Sequence, residues 1–355
     1  MMRRTYKACA IVAVGGVVAL AAACSSSGSS GGSVSSGASD QTVTIGVTPA
    51  QITFAPVYYA QAAGYFKARG INVKLVSLDN GTAELAALIG GDVNIIAGSA
   101  GTFANAAAKG ASLVSVLGLA KMSEEVCTTK SWAAQHNITS STPVQARLAA
   151  LKGATLGDTS AGSSSQTDFE YVLKAFGGID PQSDVTFTST GSPGGSEAAL
   201  SAGRIAAFML SPPTCQSVPN SYELVTPSQI STFRSMINNV LFTTQSFASS
   251  DASALTSVVT AVARANNYVV ANPDQAATAV KSSYPTGSVS LLTTALQIVS
   301  GAVPANGAMT QSMWQATSTV LMGDGSITKP LDSSSGTLWT NKYIDTAYLA
   351  AHPAG

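Results

Sequence analysis

Two stretches 112 residues apart carry one pattern: Ala87-Leu88-Ile89-Gly90-Gly91-Asp92-Val93 and Ala199-Leu200-Ser201-Ala202-Gly203-Arg204-Ile205. The same offset places Ser99 on Ser211, each just beyond an apolar run. A repeat of this length is a lobe rather than a solenoid unit, whose period is about 20–50 residues. The chain of 355 residues is long enough for two such lobes.

The surrounding pattern agrees. Residues 42–47 alternate polar and apolar, as a half-buried strand does. Pro56 suits a helix start and Gly64 a stop before a second strand at 71–78. Thr82 is placed to cap a helix through Ile89, and 93–97 reads as a third strand. A small-residue helix then runs to Gly110, and 113–119 is a buried strand. The second pass begins with a strand at 154–157. Phe169, Val172, Leu173 and Phe176 follow at helical spacing, with Ser165 and Asp168 at capping-box spacing. Strands at 184–188 and 205–210 flank a short helix at 196–202. This order calls for an α/β fold, each lobe a mainly parallel sheet flanked by helices. The last third adds scaffold: Leu255, Val258, Val259 and Val262 form one helix face, and Met313, Trp314, Thr317, Val320 and Leu321 another.

Residues 1–23 are expected to be a signal peptide, with Arg3, Arg4 and Lys7 ahead of a 16-residue apolar run. Ala21-Ala22-Ala23-Cys24 resembles a lipobox, although Leu20 stands four before the Cys rather than three. That resemblance implies lipidation at Cys24; ordinary cleavage after the Ala run is the alternative. Between 25 and 39, 13 of 15 residues are Ser or Gly, so 24–40 reads as the lipidated Cys and a flexible tether. Loss of 1–23 removes three basic residues and no acid, leaving a net charge of −3. The body is thus placed at the outer face of the membrane, where disulfides form. Its two Cys, Cys127 and Cys215, make either one bridge or two buried thiols.

Several function classes fall away. Equal basic and acidic counts, 18 each, leave no electrostatic footprint for nucleic acid. Four Cys and two His never cluster at metal-ligand spacing, so no metal site is expected. The folded body lacks Gly-x-Ser-x-Gly, no Ser or Cys has a His partner in view, and Gly162-Ser163-Ser164-Ser165 lacks the Lys of a phosphate loop. No enzyme and no cofactor are expected.

Two parallel sheets would turn the carboxyl ends of their strands, and the helix N-termini there, toward a shared crevice. Such a cleft suits a polar or anionic small molecule. The loops expected to face it supply the candidate ligand residues: Gln51, Phe54, Ala55, Pro56, Asn80, Gly98, Ser99, Ala100, Ser160, Gly162, Ser163, Ser164, Ser211 and Pro212, with Lys121 as the one nearby cation.

Phe54-Ala55-Pro56-Val57-Tyr58-Tyr59-Ala60, Gly64-Tyr65-Phe66, Gly70-Ile71-Asn72-Val73, Ala87-Leu88 through Gly98, Lys109-Gly110-Ala111, Leu151-Lys152-Gly153-Ala154, Leu200 through Arg204 and Ser211-Pro212-Pro213 form an ordered series. From about Thr42 to Pro213 the chain resembles the nitrate/sulfonate/taurine and thiamin-precursor group of ABC-transporter substrate-binding proteins. Asn94 departs from it, where the group often has Asp. The resemblance implies a type II periplasmic-binding-protein fold with a two-strand hinge. Lobe 1 would comprise 41–124 plus 225–355 and lobe 2 125–224, with crossings near 124–129 and 222–225. It further implies a monomer that closes on a small-molecule ligand and docks on a membrane permease with its ATPase. The first ligand expectation is sulfonate-like, the second a neutral or aromatic compound stacked on Phe54. Docking on a receptor as a ligand sensor is the alternative role, and an enzyme of the thiamin-precursor group a more distant one.

Overall fold

The computed structural model describes residues 42–49, 51–285 and 287–354. The signal, Cys24 and the tether lie outside the described residues.

Among the described residues, ten strands form two five-stranded sheets. They are β1 (Thr42–Val47), β2 (Asn72–Ser77), β3 (Ile95–Ser99), β4 (Leu113–Lys121), β5 (Glu125–Thr129), β6 (Thr155–Asp158), β7 (Thr186–Ser189), β8 (Ala207–Leu210), β9 (Ser221–Val225) and β10 (Ile237–Thr244). Sheet one runs β2-β1-β3-β10-β4 and sheet two β7-β6-β8-β5-β9. In each, three parallel strands are followed by one that pairs antiparallel with the third, and a fifth antiparallel to that. The sheets are therefore topological copies. The two sequence stretches offset by 112 lead into β3 and β8, which hold the same place in their sheets.

The helices that position the site are α1 (Ala55–Ala62), α2 (Gly81–Gly90), α3 (Ala100–Ala108), α4 (Ser164–Val172), α5 (Pro193–Ser201), α6 (Ala252–Ala271) and α7 (Gln311–Gly323). On one face of sheet one, α1 and α6 bury Val57, Leu255, Val258, Val259 and Val262 against Val43 and Ile45. On the other face α3 and α7 pack, with Phe103 5.7 Å from Trp314 and 5.2 Å from Phe242 between ring centroids. Each fully buried side chain of this size contributes roughly 1.5–3 kcal/mol. Phe169, Val172 and Leu173 form the corresponding core of sheet two. Among the described residues no helix is long and apolar enough to cross a membrane.

Local details differ from the sequence reading where a cap competes. The cap of α2 is Asn80, whose Oδ1 accepts from Ala83 N at 3.0 Å, two residues before Thr82. Ser165 lies inside α4, which begins after Ser163, so Ser165 and Asp168 do not form a capping box. Ser165 Oγ instead accepts from Thr159 N at 2.9 Å. Asn94 precedes β3 and accepts from Thr44 N at 2.8 Å, a bond that ties β1 to the turn.

Both segments expected as crossings, 124–129 and 222–225, fall largely within strands of sheet two that pair with each other. The chain passes between the sheets just outside them, at 122–124 and 226–236. Cys127 on β5 is bonded to Cys215, with Cα atoms 5.5 Å apart, and both residues are fully buried.

Candidate functional site

Between the sheets, at the carboxyl ends of their parallel strands, lies an enclosed cavity of about 30 Å³. Parallel sheets place ligands at this edge. Sheet one contributes Thr48 after β1, Gly98 and Ser99 from β3, and Asn239 from β10. Gln51 and Phe54 come from the loop before α1, and Asn80, Gly81 and Glu84 from the start of α2. Sheet two contributes Thr159, Ser163, Ser164, Ser165 and Leu210. Glu124 arrives from the crossing itself.

The lobes touch around this cavity. Asn80 Nδ2 donates to Gly191 O at 3.2 Å, Thr82 Oγ1 and Ser160 Oγ lie 3.1 Å apart, and Ile52 N donates to Pro212 O at 3.1 Å. Ser123 Oγ and Ser211 Oγ are 3.4 Å apart beside the crossing. The molecule is thus in a closed arrangement. Outside it a larger cavity of about 340 Å³ is lined by Asp79, Ser192, Pro193, Glu197, Pro213 and Tyr284 among others. Asn80, which lines the inner cavity, and Gly191 are the chain neighbours of Asp79 and Ser192, which line the outer one, so the two spaces border each other along these segments.

Of the candidates named from sequence, Gln51, Phe54, Asn80, Gly98, Ser99, Ser163 and Ser164 line the inner cavity. Ala55, Pro56 and Ala100 are buried within their helices and do not line it. Ser160, Ser211 and Pro212 make contacts between the lobes, as above. Gly162 takes a left-handed turn, φ 76°, and donates to Gln166 Oε1. Lys121 is turned away, lining a separate cavity of about 390 Å³ beside the crossings. Tyr59 stacks on Tyr268 at 4.6 Å and is core.

Sequence reasoning missed the carboxylates. Glu84 is fully buried on α2 and accepts from Thr48 Oγ1 at 2.6 Å. Burial pushes its pKa up to about 7 against the opposing pull of that bond. Glu124 accepts from Asn238 Nδ2 at 3.0 Å, and burial lifts it to about 7 as well. Behind it Asp168 is raised well above the ordinary range by burial, then by the charges of Glu124 and Asp324. In the outer cavity burial raises Glu197 to about 7. Buried carboxyls without a cation keep their protons, because the charged form loses its hydration.

The helix ends are less available to an anion than their number suggests. Asn80 occupies the start of α2, and Ser99 Oγ accepts from Gly101 N at 3.1 Å and Thr102 N at 3.4 Å at the start of α3. Two starts at the cavity, α1 after Phe54 and α4 after Ser163, carry no side-chain cap. No group of three or more His, Cys, Asp or Glu that could hold a metal ion occurs among the described residues.

Gly98 is required by the closeness of Glu84: a β-carbon there would overlap that carboxyl and come within 2.8 Å of Ile96 Cγ2. Gly98→Ala is expected to cost about 1–3 kcal/mol by overpacking, read by urea unfolding. Unchanged stability would mean that Glu84 is free to move.

The fold matches solved binding proteins. The ligand-binding component of an ABC-type import system from Staphylococcus aureus, with zinc bound, is 15% identical, with a TM-score of 0.67 over 85% of this chain and 98% of that one. The periplasmic aliphatic sulphonate-binding protein SsuA from Escherichia coli is 16% identical, with a TM-score of 0.61 over 82% and 90%. The periplasmic nitrate-binding protein NrtA from Synechocystis PCC 6803 is 13% identical, with a TM-score of 0.66 over 88% and 89%. No curated protein sequence matches. The NMT1/THI5-like family model matches residues 51–276, which spans the loop before α1, both crossings and all of sheet two. The chain belongs to the NMT1/THI5-like family and has the two-lobed α/β fold of periplasmic binding proteins.

Proposed function

We propose that the protein is the solute-binding component of an ABC import system rather than an enzyme. One cavity enclosed between two topologically equivalent lobes, joined by two crossings, is the observation that carries this reading. Closure follows if the ligand binds the closed state better than the open one. The closed monomer then docks on a permease with its ATPase. A signal at 1–23, lipid on Cys24 and the 24–40 tether would hold the body, lobe 1 (41–124 plus 225–355) and lobe 2 (125–224), at the outer face of the cytoplasmic membrane. A sulfonate-like solute, as bound by SsuA, and a ring compound held on Phe54 are the two ligand classes carried from the sequence.

The test is a thermal-shift screen after unfolding and refolding to strip carried solute, with alkanesulfonates, nitrate, aminopyrimidines, amino acids and amines. A ligand at about 100 times its dissociation constant adds roughly 2.7 kcal/mol, or about 4 °C for a body of this size. A selective shift of that order supports capture in the cleft. Turnover of any solute that shifts the protein would overturn the binding-protein reading.

A further inference from the structure

We propose that the solute is a small organic cation whose ammonium or guanidinium head sits in the inner cavity against Glu124, Glu84 and Asn239. This rests on the solute-binding reading and names its ligand class. Three buried polar atoms of the inner cavity have no partner: Glu124 Oε2, Asn239 Oδ1 and Thr102 Oγ1, on residues that are 3%, 1% and 6% exposed. Unpartnered buried acceptors are uncommon in folded proteins, and two carbonyl-type oxygens beside one hydroxyl ask for a donor with several N–H groups. An ammonium or guanidinium head has those N–H groups and no acceptor.

Charge points the same way. The inner and outer cavities together present Asp79, Glu84, Glu124 and Glu197, and no Lys, Arg or His is among the residues lining either. Asp168 stands behind Glu124 with both carboxyl oxygens unpartnered. An oxyanion in the inner space would face two carboxyl groups with no cationic side chain in the lining to offset them. A cation lets the same carboxyls ionise, turning buried groups that repel charge into partners for it. Size then divides the ligand. About 30 Å³ of free space exceeds the ~10–15 Å³ that one water needs, enough for a compact head. The adjoining 340 Å³ takes an aliphatic remainder, once the Asn80–Gly191 contact opens for it.

The experiment is titration calorimetry of the mature chain with n-butylammonium, guanidinium and 1,4-diaminobutane, set against methanesulfonate and nitrate, in wild type and Glu124→Gln. The variant keeps an acceptor for Asn238 and removes a buried carboxylate, so its folding is checked by an unchanged or raised melting temperature. The expected result is binding of at least one amine, with affinity reduced about 30-fold in Glu124→Gln, as for loss of a charged hydrogen-bond partner. Binding of methanesulfonate or nitrate, with no response to amines, overturns the cation assignment and leaves solute binding intact. Equal amine affinity in wild type and variant also overturns it, because the amine then binds elsewhere. Silence toward all five probes removes small cations as the ligand class, while the wider solute screen judges the binding-protein reading by itself.

Discussion

Without ligand, the protein is expected to lose stability as pH rises from 5 to 8. In the folded state burial lifts Glu84 and Glu124 from an ordinary 4.5 to about 7. Between those values the folded chain holds protons that the unfolded chain has released. A raised carboxyl therefore contributes its full stability below about pH 4.5 and loses it as pH climbs through 7. For each of these two groups the loss at pH 8 is roughly 3 kcal/mol. For a body of this size the melting temperature should fall by about 5–10 °C across the range. Glu125, lifted to about 8 by burial and then by Glu223, extends the slope to the alkaline side. Differential scanning calorimetry at half-unit steps reads the profile, and the double variant Glu84→Gln/Glu124→Gln should make it shallower, the remaining slope belonging to Glu125, Glu197, Asp168 and Asp324. A flat wild-type profile would show that these carboxyls ionise at ordinary pH and that the cavity is better hydrated than its burial implies.

Reduction of the Cys127–Cys215 bond should have an effect of similar size. The bond closes a loop of 88 residues, and the chain-entropy account assigns such a cross-link about 4.6 kcal/mol. It joins β5, the first strand entered from the crossing, to the short helix Thr214–Ser217 that follows the Ser211-Pro212 contacts. Urea unfolding of the Cys127→Ala/Cys215→Ala variant should show that loss, with the slope altered because the unfolded chain is freer. Wild type treated with reductant should approach the variant. Identical midpoints in all three would mean that the bond is not formed in the isolated protein.

The legibility of this molecule follows from what each residue's neighbours in sequence reveal. The alternation at Thr42–Val47, the apolar run at 113–119 and the stripe Phe169, Val172, Leu173 each bury against elements close in pattern, so they declare themselves. The repeat of Ala87 and Ala199 is visible because helix-to-strand turns reuse small residues. Glu84 gave no such signal. On its own helix it reads as a polar face, and only the approach of β3, with Gly98 against it, makes that face interior. Asp168 suggested a cap because its partner in spacing was Ser165, whereas its true neighbour, Glu124, is distant in sequence. Lys121 looked like a cleft cation because it adjoins the crossing. Glu124 alone of this segment enters the cavity, while Lys121, Met122, Ser123 and Glu125 line the space behind.

The crossing borders both spaces. Glu124 is bonded to Asn238 at the start of β10, so the carboxyl that lines the inner cavity also fastens the first connecting segment to the strand that receives the second. The space on the reverse side, about 390 Å³ and bordered by Met122, Phe233, Arg234 and Ile298, is shaped by those segments. Ile298 is 50% exposed there, outside the cleft. An environment-sensitive dye on a Cys at that position would register solute arrival from behind, without a label touching the solute. The joint between the lobes would then serve as the optical output of a reagentless sensor.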